Sequence, residues 1–113
     1  RSDRDWSSDV CSSDLAVHET VQAFFQREGY KTGKIHGRMQ GFFHGTGHGL
    51  GLEVHESPRV SANSTDTLLA GNVVTVEPGL YYAGLGGVRL EDVALITTNG
   101  PRNLTKFEKG LEI

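Results

Sequence analysis

The sequence predicts an α/β protein of the α+β kind: one amphipathic helix followed by a run of short strands. Three observations carry this reading. Val17, Val21, Phe24 and Phe25 stand at i, i+4, i+7 and i+8, the period of a helix buried along one face. Segments 72–77 (NVVTVE) and 88–97 (VRLEDVALIT) are β-branched or alternate apolar with polar residues, as strands do. The chain's 15 glycines gather between such segments, where they break regular structure and mark turns.

The elements follow in order. Residues 1–15 (RSDRDWSSDVCSSDL) lack any helical or strand period, and DVCSSDL resembles the translation of a sequencing-library adapter; a leader foreign to the fold is expected there. The helix is expected over 15–28, with Asp14 as its N-cap and Gly29 ending it in the left-handed conformation. Residues 30–40 are polar and read as a loop. Residues 41–52 hold too much glycine for a helix, at about 1 kcal/mol per glycine relative to alanine. A short strand over 53–56 should stop at Ser57-Pro58, and 61–71 should form a polar connection turning at Ala70-Gly71. The strand over 72–77 breaks at Pro78-Gly79 and resumes over 80–82. Gly84, Gly86 and Gly87 make a turn, 88–97 is one long strand, and 102–113 closes the edge after a turn at 99–101.

Composition excludes several roles. A net charge of −3 gives no reason to expect nucleic acid or an anionic membrane as partner. No apolar run approaches the ~20 residues of a membrane helix, and the start is too polar for a signal peptide. Cys11 is the single cysteine, so no internal disulfide can form; a reducing, cytoplasmic setting is expected.

The chemistry gathers in HGTGHGLGLEVHESP, residues 44–58. A lone histidine is more often a satisfied core or surface residue than a ligand. His44, His48 and His55 fall within twelve residues among glycines, which is harder to dismiss. The stretch matches neither G-x-G-x-x-G nor H-E-x-x-H. Two carboxylates, Glu77 and Glu91, sit in strand-like segments, where a glutamate must be paired or bind a metal. Glu77 paired with Arg89 as a structural ion pair is one reading. A metal site built from a histidine and two glutamates, suited to Mn, Co, Fe or Zn, is the other.

HGTGHGLGLEVHE, GNVVTVEPGLYY and GGVRLEDV, in that order and spacing, resemble the signature blocks of the methionine aminopeptidase and prolidase superfamily, and of its Xaa-Pro branch in particular. The resemblance spans residues 16–113. It implies the C-terminal portion of a catalytic domain with the pita-bread fold, an antiparallel curved sheet with flanking helices. It implies a pair of divalent metal ions (Mn, Co or Zn), with His48, Glu77 and Glu91 as ligands and Glu91 bridging. His44, His55 and Glu77 would be the catalytic groups, and Arg89 would orient Glu91. Tyr81 or Tyr82 would line a pocket for a peptide with proline at its second position. The family's two aspartate ligands have no counterpart here, since Asp66 and Asp92 stand in the wrong blocks. The resemblance therefore implies an incomplete site, holding at most one weakly bound ion and not hydrolysing peptides alone. A homodimer is expected of the intact protein. A creatinase-like homologue or an inactive binding module is the alternative, and retention of His48, Glu77 and Glu91 argues against it.

Overall fold

The computed structural model describes residues 13–110, so residues 1–12, with Cys11, lie outside the described residues. Helix α1 spans Asp14–Arg27. Nine strands follow: β1 Gly33–Ile35, β2 Arg38–Gln40, β3 Gly47–Gly49, β4 Glu56–Val60, β5 Val73–Val76, β6 Gly79–Tyr82, β7 Gly86–Arg89, β8 Asp92–Thr97 and β9 Gly100–Asn103. Five of them form an antiparallel sheet in the order β4-β3-β5-β8-β9, and β1-β2 and β6-β7 are separate hairpins. The expected α+β class holds, with α1 as the one helix among the described residues.

The helix begins one residue away from the expected cap. Ser13, not Asp14, is the N-cap: its Oγ accepts from the Ala16 N–H at 3.1 Å. Gly29 takes φ 93° just past the end, as anticipated. The apolar face is also shifted. Phe24 is about half exposed, and the fully buried helix positions are polar, Asp14 and His18. Ser13 bridges Thr67 and the Asp14 N–H donates to the Asp66 carbonyl at 3.0 Å, so residues 13–15 join the fold although they belong to the expected leader.

Leu68, Val74 and Ile96 form the core cluster, with Val17 of α1 packed against it. Val74 and Ile96 come from the central strands, paired in register through Val74↔Ala94 and Val73↔Leu95. Leu68 comes from the connection read as polar, which places one large apolar side chain under the sheet.

Four strand assignments change. The polar stretch 30–40 forms the β1-β2 hairpin, made possible by positive φ at both turn residues, His36 and Gly37. Strand β4 runs through Ser57-Pro58, joined by a cis peptide, instead of stopping before it. The glycine-rich stretch supplies β3. Adding a Cβ to Gly47 would place it about 1.7 Å from the Thr75 carbonyl oxygen, so this strand approaches β5 only because it lacks side chains there. The expected long strand 88–97 is two, β7 and β8, in different sheets, with Leu90 and Glu91 in the break.

Candidate metal centre

His48 is the middle residue of β3, next to β5. Along β5 side chains alternate, so Thr75 and Glu77 share the face opposite Val74. One hydroxyl joins the two segments. Thr75 Oγ1 accepts from the His48 N–H at 3.1 Å and donates to Glu77 Oε2 at 2.9 Å. Glu91 enters from the break between β7 and β8, since β8 pairs with β5 up to Val76↔Asp92. Side-chain donor atoms of His48, Glu77 and Glu91 all lie within 4.8 Å of one another.

The proton arrangement favours a cation. His48 Nδ1 lies 2.9 Å from the Gly49 carbonyl, which can only accept, so Nδ1 carries a proton, and in the neutral ring Nε2 presents a lone pair. That lone pair faces Glu77 Oε2 at 3.2 Å, with both residues half-buried. Two acceptors so placed repel unless a proton or a cation sits between them. Glu91 is raised above its ordinary carboxylate range, first by desolvation and then by the charge and hydrogen bonding of Glu77. An imidazole nitrogen with two carboxylates is a donor set for a divalent transition metal. The residues present fit such an ion.

The other singled-out residues surround this group. His44 donates from Nδ1 to the Gly45 carbonyl at 2.7 Å and accepts at Nε2 from the Tyr81 hydroxyl at 3.0 Å. Arg89 is exposed and donates to the same hydroxyl at 3.4 Å. Its pKa is raised, first by that hydrogen bond, and Glu77 and Glu91 act on it electrostatically in the same direction. No Glu77–Arg89 ion pair occurs among the described residues; Asp92 pairs there with Lys109, and the His48–Glu77 contact is an ion pair only when the imidazole is protonated. The exposed His55 ring stands edge-on to His48, with centroids 4.7 Å apart. An open cavity of about 460 Å³ is lined by His44, His48, His55, Glu77, Tyr81 and Arg89, along with Phe43 and Arg59. Tyr82 points its hydroxyl to the Lys31 carbonyl instead.

Asp66 and Asp92 stay outside the group, as their blocks suggested. Asp66 accepts from the Arg59 N–H, and Asp92 pairs with Lys109. Sequence reasoning missed Thr75, although its place two residues before Glu77 on a strand gives it the same face. It also missed buried Thr46 and His18, for which neither spacing nor composition gave a signal.

Residues 15–98 match the metallopeptidase family M24. The chain belongs to that family. Among M24 relatives it is 51% identical, over 78 residues, to an Xaa-Pro dipeptidase of Pyrococcus furiosus; the match takes in 69% of this chain and 22% of that protein. The Xaa-Pro dipeptidase of Pyrococcus horikoshii is 56% identical over 62% of this chain and 20% of its own length. Among solved structures, an Xaa-Pro dipeptidase from Bacillus anthracis superposes with a TM-score of 0.77 at 37% identity, over 90% of this chain and 26% of that one. A methionine aminopeptidase from Rickettsia prowazekii, at 17% identity, TM-score 0.58, and 82% and 43% coverage, shares the fold alone. These neighbours carry the pita-bread fold that the sequence blocks implied. The chain spans about a fifth of the length of these curated relatives. No helix of the described residues is long and apolar enough to cross a membrane.

Proposed function

We propose that this chain carries part of the metal centre of a peptidase that cleaves the bond preceding proline at the second position of a peptide. The observation that supports it is the convergence of the His48 Nε2 lone pair with the carboxylates of Glu77 and Glu91. These three residues would hold a divalent ion. When bound, such an ion supplies Lewis acidity toward a peptide carbonyl.

The chain's own residues account for the remaining work. Glu77 is oriented by Thr75 and lines the cavity, so it can take a proton from a water there and return it to a leaving amine. His44, with Nδ1 tied to a carbonyl, and His55, exposed beside His48, would hold the substrate. Arg89 braces Tyr81, which braces His44, and it stands in the field of Glu91. A bond before proline has no N–H on its leaving nitrogen, so recognition must come from shape. Tyr81, with its neighbour Phe43 at 5.6 Å between ring centroids, offers an aromatic wall for a pyrrolidine ring.

In this reading residues 16–113 are the C-terminal portion of the catalytic domain and residues 1–15 are foreign to it. Among the described residues three donors are gathered, so one weakly held ion is expected and no peptide hydrolysis by the chain alone.

Calorimetric titration with Mn²⁺, Co²⁺ or Zn²⁺ tests the centre: one ion should bind, and His48→Ala should abolish it. Hydrolysis of an Xaa-Pro peptide should appear only when the upstream half of an M24 relative is supplied. Turnover by this chain alone at the level of an intact relative would overturn the account of an incomplete site.

A further inference from the structure

The ligand pair rests on a buried contact that the reaction does not use. His18 of α1 is 2% exposed, and its Nδ1 lies 2.8 Å from the Oγ1 of Thr46, which is fully buried. Thr46 stands where three segments meet. Its N–H donates to the Val60 carbonyl at the end of β4 at 2.7 Å. Its carbonyl accepts from the Glu77 N–H at 2.6 Å. His48 follows two residues later on the same strand segment.

The Glu77 contact matters because the sheet ladder has ended. Strands β5 and β8 pair only as far as Val76↔Asp92. Past that point the Thr46 carbonyl is the group that holds the Glu77 backbone. A threonine hydroxyl turns freely about its own bond unless a partner fixes it. The His18 ring is itself fixed against Phe42, with centroids 5.3 Å apart, so it is a rigid partner.

We propose that His18 is a positioning residue for the His48–Glu77 pair: it fixes Thr46, and the Thr46 carbonyl fixes the backbone of Glu77 beyond the end of the ladder. The inference deepens the metal-centre reading, but its geometric half stands without a metal.

The test uses the full chain in two measurements. Hydrogen exchange of the metal-free chain is followed at the Glu77 amide, with the Ile96 amide, bonded to the Asn72 carbonyl at 2.9 Å, as the reference for opening of the sheet. His18→Ala, and Thr46→Val, which removes the hydroxyl at nearly constant shape, should each speed exchange at Glu77 about tenfold and leave Ile96 unchanged. His18→Asn, which keeps a nitrogen near the Nδ1 position, and Thr46→Ser should stay near the parent rate. Co²⁺ affinity, read from the visible spectrum, should fall about tenfold in Thr46→Val and not in Thr46→Ser, the loss expected when a group supporting a ligand is removed.

Unchanged exchange at Glu77 overturns the proposal. So does equal acceleration at Glu77 and Ile96, or failure of both His18→Ala and Thr46→Val to fold, because the contact would then support the whole sheet and not the ligand pair. If the parent chain takes up no Co²⁺, the metal reading falls, while the exchange result still decides the role of His18.

Discussion

Among the described residues Glu77 and Asp14 are both withdrawn from water, and they are treated in opposite ways. Glu77 is half-buried beside the His48 imidazole, takes a hydrogen bond from Thr75 and has its backbone held by Thr46. Asp14 is wholly buried, and neither carboxyl oxygen has a hydrogen-bond partner among the described residues. Burial without a partner, with Asp66 adding repulsion, pushes the Asp14 carboxyl up to about 6. A withdrawn charge that is surrounded by donors makes a site, and one that is not makes a weak point.

The largest expected effect breaks the well-supported side. His48→Ala should lower Co²⁺ affinity on the order of a hundredfold or more, with circular dichroism of the folded chain unchanged. Retained affinity would mean that the glutamates alone hold the ion and that the support around His48 is incidental.

The orphan side should respond in stability. The folded-state pKa of Asp14 is raised, so the native state binds this proton more tightly than the unfolded state does. Stability from this group is present below its ordinary value of 3.8 and is lost as pH rises through about 6. Asp14→Ala should therefore gain on the parent by about 3 kcal/mol between pH 3.5 and pH 7, measured by urea unfolding. Subtracting the two proteins' profiles removes the opposing contribution of His18, whose pKa is lowered chiefly by burial. A pH-independent difference would show that Asp14 finds a partner after all.

A smaller effect sharpens the comparison at Glu91. Its raised pKa means that a metal must displace a proton held more tightly than usual. Co²⁺ affinity should rise with pH across the upper carboxylate range, and Glu91→Gln should flatten that part of the dependence. The smallest effect lies on the helix. Phe24 is about half exposed, so Phe24→Ser should change stability by less than about 1 kcal/mol.

Why the two carboxylates differed in legibility follows from what patterns encode. Glu77 and Glu91 were readable because three blocks stood in register, and Val74 and Ile96 because strands alternate. Asp14 was read as a cap because aspartate favours that place, but Ser13 took it and turned the next residue inward. The helix period was right in kind and misplaced on Phe24, because a 3.6-residue repeat does not say which edge of an apolar stripe meets the sheet. Strand β4 passed through Pro58 and the β1-β2 hairpin turned on His36, both contrary to local preference. The break at Leu90–Glu91 has no turn signature, so VRLEDVALIT read as continuous. Thr46 and His18 are joined across 28 residues, and nothing local announces such a contact.

The close approach at Gly47 has a consequence for how the chain avoids error while folding. A slide of β3 by one residue against β5 would bring Thr46 or His48 to the place where a Cβ has no room beside the Thr75 carbonyl. The same slide would turn His48 away from Glu77, because neighbouring side chains on a strand face opposite ways. The missing side chain thus acts as a gauge: misaligned pairings are rejected by collision, and the accepted one puts the imidazole on the carboxylate side. A saturation scan of position 47 should return no tolerated residue, and the losses should be in folded protein before they are in metal affinity.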